Sequence, residues 1–193
     1  MNNKYINNRE KYRKRYYRVR LGVLQMIHYP LLNLLLFIPV FGLVAFIYFK
    51  MQILNAEISA FFYPIIKFIL DVLTYAVPIT LLLAVISIVS VATAIRDEAN
   101  VQMAFTKDEL RNGSPILINK KRIKGTDVIQ REFYSNIPLR IWIKRIDELS
   151  DSLNVHFVEE IRYGGKSNGK RVIICTAPSR DLPNRNTLYD EEF

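Results

Sequence analysis

Two uncharged runs set the terms for any fold this chain can adopt. From Arg20 to Lys50, and again from Asp71 to Arg96, no Lys, Arg, Asp or Glu intervenes. The most apolar part of the first run is LLNLLLFIPVFGLVAFIYF, Leu31 to Phe49. At about 1.5 Å rise per helical residue it matches the roughly 30 Å hydrocarbon core of a bilayer. The second run, VLTYAVPITLLLAVISIVSVATAI, is also long enough to span with some tilt. Neither keeps the polar stripe that a soluble helix shows. Two transmembrane helices are therefore predicted, over about residues 29–49 and 71–95. A cleaved signal peptide has a shorter apolar core with a small-residue cleavage site, whereas aromatics and Lys50 follow the first run.

Charge then orients the hairpin. Residues 1–49 carry eight Lys or Arg against the single acid Glu10, residues 50–95 balance to zero, and residues 96–193 carry a small positive excess. The positive-inside rule places the basic segment that ends at Arg20 in the cytoplasm, the short loop near residues 50–67 outside, and the remainder back in the cytoplasm. The expected location is the cell membrane, multi-pass, with both termini cytoplasmic. Pro39 and Pro78 lie inside the predicted spans and can kink each helix. Asn33, Thr80, Ser87, Ser90 and Thr93 offer bonds between helices, and Gly42 and Ala84 allow close approach, which points to self-association as a homo-oligomer. Asp71 sits near one end of its span and reads as interfacial.

Catalytic chemistry has little to work with. One Cys and two His exclude a disulfide framework and cannot build a zinc site alone. No catalytic residue, metal ligand or cofactor is assigned, and no enzyme activity is expected. GGKSNGKR, Gly164 to Arg171, has the spacing of a phosphate-binding loop. It places Arg171 where a magnesium-binding hydroxyl belongs, and a β-rich run follows where a helix is required. It reads as a hairpin turn. The arm before the first span, KYRKRYYRVR, interleaves basic and tyrosine residues. Lys11, Arg13, Lys14, Arg15, Arg18 and Arg20 are thus candidate contacts either to membrane lipid or to nucleic acid.

From Arg96 onward the composition turns to mixed charge, enough for a small domain. Residues 97 to about 111 read as a juxtamembrane helix, with Val101, Phe105 and Leu110 on one side. Lys120, Lys121, Arg122 and Lys124 read as a basic connector. DVIQREFYS reads as a strand, and Leu139, Trp142, Ile146, Leu149 and Leu153 recur at helical spacing after Pro138. Val155 to Tyr163 reads as one strand and RVIICTA as its return. The fold class is a membrane α+β protein: a two-helix transmembrane hairpin followed by a small cytoplasmic β-α-β-β domain. The segments are a basic arm (1–20), a two-span region (21–95), a juxtamembrane helix and connector (96–125), the β-α-β-β domain (126–178) and a flexible tail (179–193).

One stretch carries a family likeness. Ile141 to Arg180 resembles the domain just before the motor in FtsK/SpoIIIE-type DNA translocases. Lys144-Arg145-Ile146 and Leu149-Ser150-Asp151-Ser152-Leu153 match that family's helix, and Val172-Ile173-Ile174 with Pro178 matches its last strand. The layout of two spans, a helix and this small domain also resembles the N-terminal part of FtsK-like conjugative coupling proteins. The sequence departs from the family in having no Walker A or Walker B motif, with only SRDLPNRNTLYDEEF after Pro178. The resemblance therefore implies a membrane and pre-motor module without the ATPase, with a separate ATPase motor and DNA as partners. It also makes Lys120, Lys121, Arg122, Lys124, Arg131, Arg140, Lys144 and Arg145 candidate DNA or subunit contacts. The expected function is a non-enzymatic anchor or scaffold in DNA translocation or conjugative transfer. The rival is a two-span membrane adapter whose cytoplasmic domain binds a protein partner, with no DNA role. A channel is disfavoured by the absence of charge within the spans.

Overall fold

The computed structural model describes residues 3–56, 61–165 and 169–178. The expected tail, 179–193, lies outside the described residues, as do 57–60 of the loop between the apolar runs and 166–168 of the glycine turn. The chain divides into two compact units. One comprises residues 22–91; the other joins residues 1–21 to 92–193.

The unit of residues 22–91 is helical. Helix α1, Asn3–His28, enters it at Gly22. A 3-10 segment, Pro30–Leu36, leads into α2, Phe37–Leu54, and α3 runs Tyr63–Met103. The apolar stretches Pro30–Leu54 and Tyr63–Met103 are each long and apolar enough to cross a membrane. Pro39 is the third residue of α2, in the first turn, where a missing N–H is tolerated. Pro78 lies in the interior of α3. Of the hydroxyls expected to bond between helices, two bond to their own helix: Thr80 donates to Val77 O at 2.8 Å and Ser87 to Leu83 O at 2.7 Å. Met26, Val85 and Val89 form a small core. Gly22 is what allows α1 this close to α3, because a Cβ there would collide with the Ile86 carbonyl. Lys50 Nζ meets Asp71 Oδ1 at 2.6 Å, so the acid at the start of the second run is paired.

The other unit is α+β. Among the described residues its strands are β1 (Ile116–Arg122), β2 (Ile129–Tyr134), β3 (Val155–Phe157), β4 (Arg162–Tyr163) and β5 (Arg171–Pro178). They form an antiparallel sheet in the order β1-β2-β5-β3, with β4 also on β5. Helices α4, Leu139–Lys144, and α5, Ile146–Leu153, lie between β2 and β3 in sequence. Trp142, Phe133, Leu149, Leu117, Val172 and Ile174 are fully buried in one core together with Leu21 of α1 and Ala94 and Val101 of α3. Trp142 packs edge-on to Phe105, ring centres 4.9 Å apart, and its indole N–H donates to Ser135 Oγ at 3.3 Å.

Three readings of the sequence change here. The basic arm is not a separate arm: residues 3–20 are the first part of α1, and Leu21, which follows, is core. The juxtamembrane helix is the end of α3, which closes at Met103; a short 3-10 turn, Glu109–Asn112, follows. Lys120, Lys121 and Arg122 of the connector lie in strand β1 and Lys124 just beyond it, so the sheet is larger than β-α-β-β. A register shift between Leu117 and Asn119 buries both Leu117 and Ile118 and spoils the alternation that marks a strand. The helix expected after Pro138 is divided at Arg145, and the strand expected over 155–163 is divided too. From Phe157 to Arg162 the outer strand takes five steps while β5, from Thr176 to Ile173, takes three. The excess bulges out and leaves Glu159 and Glu160 exposed while Ile161 is buried.

A candidate basic site and the ion-pair network beneath it

The basic face of α1 lies on the sheet through two adjacent acids of α3. Asp97 and Glu98 are each about 5% exposed. Successive helical residues point about 100° apart, so the two carboxylates serve different neighbours. Glu98 accepts from Arg18 Nη2 at 2.6 Å and from the Leu117 backbone N–H at 2.9 Å, with Lys14 Nζ 3.7 Å away. Lys14 and Arg18 are one helical turn apart and share that face. Asp97 Oδ2 accepts from Arg131 Nε at 2.9 Å and pairs with Lys120 Nζ at 2.8 Å. Lys120 and Arg131 are direct cross-strand partners. Like charges opposite each other destabilise a sheet, and Asp97 offsets both. Arg131 also donates from Nη1 to Thr176 Oγ1 at 2.5 Å, tying in β5.

A groove opens between α1 and the start of β1, with a volume of about 280 Å³. Lys11, Arg13 and Lys14 line it with Gln102, Ser114 and Tyr134. The Arg13 guanidinium lies 4.8 Å from the Tyr134 ring centre, a cation–π contact, and Tyr17 stacks beside the same ring at 5.3 Å.

A second, smaller cluster holds the break between α4 and α5. Arg145 donates to Glu148 Oε1 at 2.8 Å and lies 3.4 Å from Glu109 Oε1. The Thr106 backbone N–H, donating to Glu109 at 2.8 Å, chiefly holds the Glu109 carboxyl below its ordinary value, and Arg145 adds to this. Arg145 likewise holds Glu148 down. Burial pushes the Cys175 thiol up.

The basic residues expected to reach a ligand are thus scattered. Lys14, Arg18, Lys120, Arg131 and Arg145 are engaged in ion pairs within the unit, and Arg131 is buried. Arg122 pairs with Asp127 in the β1–β2 hairpin. Lys11, Arg15, Lys124, Arg140 and Lys144 are exposed, while Arg13, Arg20 and Lys121 are half-buried. Arg140 and Lys144, four apart on α4, share a face. Asp97, Glu98, Glu109 and Thr176 did not stand out in the sequence. Thr106-Lys-Asp-Glu109 has the spacing of a capping box and could have marked Glu109, whose backbone N–H also donates to Thr106 Oγ1 at 3.4 Å.

No protein-family model matches the sequence, and no curated protein matches it. One similar solved structure is the pCW3 conjugation coupling protein TcpA in a monomer form with ATPγS. Identity is 28% over 43% of this chain, with a TM-score of 0.37, and the match takes in 23% of that protein's length.

Proposed function

We propose that this chain is a two-span membrane protein whose flanking segments share the cytoplasmic side. There it acts as a non-enzymatic anchor or scaffold in conjugative DNA transfer, holding DNA or a separately encoded motor at the membrane. The observation that carries this reading is the Arg18–Glu98 pair at 2.6 Å, which joins the segments on either side of the apolar hairpin into one unit. Segments that fold together lie on one side of a bilayer. Two helices long and apolar enough to cross it, and the charge bias that orients them, support the same reading. The DNA half rests on the likeness of Ile141 to Arg180 to the pre-motor domain. Exposed Arg15, Lys124, Arg140 and Lys144, outside the groove on α1, are the residues this reading assigns to duplex phosphates.

The test is DNA binding by the full chain in phosphatidylcholine nanodiscs across a salt series. Four phosphate contacts predict log K falling against log salt with a slope of about −3 to −4 for duplex DNA, without sequence preference. Absence of binding at low salt defeats the DNA reading and leaves the protein-binding adapter. That second reading is favoured by one observation: Lys14, Arg18, Lys120, Arg122, Arg131 and Arg145 already have acidic partners within the unit.

A further inference from the structure

We propose that the groove between α1 and β1 is a binding site for one phosphate ester, supplied by the headgroup of an anionic phospholipid. Three cations, Lys11, Arg13 and Lys14, line it, and no Asp or Glu lines it among the described residues. Lys11 and Lys14 are three apart on α1, a like-charge spacing that costs stability unless an anion sits between them. Lys14 pairs with Glu98 only at 3.7 Å, longer than a hydrogen bond, and its side chain stays 53% exposed, so it remains within reach of a second anion. Arg13 lies over the Tyr134 ring. A guanidinium held by its face keeps its planar edge of N–H donors for an oxyanion.

Size separates the ligand classes. A recess of about 280 Å³ lies at the small end for ligand sites and suits a phosphate with a few attached atoms. A DNA duplex carries its phosphates on the outside of a wide cylinder and cannot enter it. Position favours a lipid: Lys14 precedes Arg20, the last charge before the first uncharged run, by less than two helical turns. That is about 9 Å of helix, on the segment that leads into the first apolar stretch, where each basic residue adds to the attraction for an anionic leaflet. The lipid source rests on the two-span reading above; the phosphate site does not.

The experiment is native mass spectrometry of the full chain released from nanodiscs containing phosphatidylglycerol or phosphatidylcholine, with glycerol 1-phosphate as a soluble competitor. The expected result is selective retention of one phosphatidylglycerol per chain, displaced by glycerol 1-phosphate. Retention falls about 100-fold in Lys11→Gln/Arg13→Gln/Lys14→Gln, a factor of about five per charge. Ser114 is exposed, so Ser114→Asp leaves the fold intact and gives the same loss by placing a negative charge in the groove. Lys107→Gln/Arg111→Gln/Arg162→Gln, which removes equal charge elsewhere, retains the lipid. Glycerol 1-phosphate binding without lipid retention supports the site with a soluble source. If the chain does not enter nanodiscs yet binds glycerol 1-phosphate, the two-span reading fails and the phosphate site stands. Equal retention of both lipids, or equal loss in the charge-matched control, overturns the proposal.

Discussion

Arg18 and Glu98, 80 positions apart, meet at 2.6 Å. Glu98 also accepts the Leu117 N–H of strand β1, so one buried carboxylate fastens α1, α3 and the sheet. Removing one partner of a buried pair costs about 3–5 kcal/mol, because the other charge is stranded. Glu98→Ala is expected to lose that much, and Glu98→Gln less, since it still accepts from Leu117. Denaturation of the full chain in micelles, followed by the single tryptophan, Trp142, measures both. Arg18→Met combined with Glu98→Ala is expected to cost less than the two singles together.

Asp97 is the stronger test of the sheet. Asp97→Asn leaves Lys120 and Arg131 facing each other across β1 and β2. The expected loss is again about 3–5 kcal/mol. Adding Arg131→Met to Asp97→Asn is expected to recover part of it in the same unfolding assay, whereas additivity would contradict the network.

The fold was legible where a pattern ran uninterrupted. The apolar runs, the strand around Phe133 and the return strand at Val172 to Ile174 all stand in the sequence. β1 was missed because its register shift buries two successive residues and its Lys and Arg read as solvent-facing. Arg131 was misjudged for a related reason: the acid that makes its burial tolerable lies 34 positions away, and no spacing announces it. The site was the least legible part, since α1 supplies its charges and β1 its floor.

Gly22 tests the helical unit. A methyl there collides with the Ile86 carbonyl, and backbone cannot yield as a flexible side chain does. Gly22→Ala is expected to cost about 1–3 kcal/mol, read as a lowered thermal midpoint in micelles. Gly169→Ala, where a Cβ meets nothing within 4 Å, is expected to leave that midpoint unmoved.

Two titrating groups give opposite pH dependences. Glu109 is held below its ordinary value of about 4.5. Its contribution is present above that pH and is lost as pH falls through the lower, folded value. Glu109→Gln should therefore flatten the acid limb of the stability profile. Cys175 is held above its ordinary value of about 9.0. The unfolded chain ionises first, so the Cys175 contribution is present below that ordinary value and is lost as pH rises past it. Cys175 should resist a thiol reagent at pH 8 until the chain is unfolded, while rapid native labelling would contradict its burial.

The central claim is that the segments on either side of the apolar hairpin fold together on one side of a membrane. Single cysteines at Arg15, Asn55 and Lys124, in a Cys175→Ser background, place each position by labelling with a membrane-impermeant reagent in intact cells and in inverted vesicles. All three side chains are exposed. The account predicts that positions 15 and 124 label only from the cytoplasmic side and position 55 only from outside. Positions 15 and 124 labelling from opposite sides would contradict it.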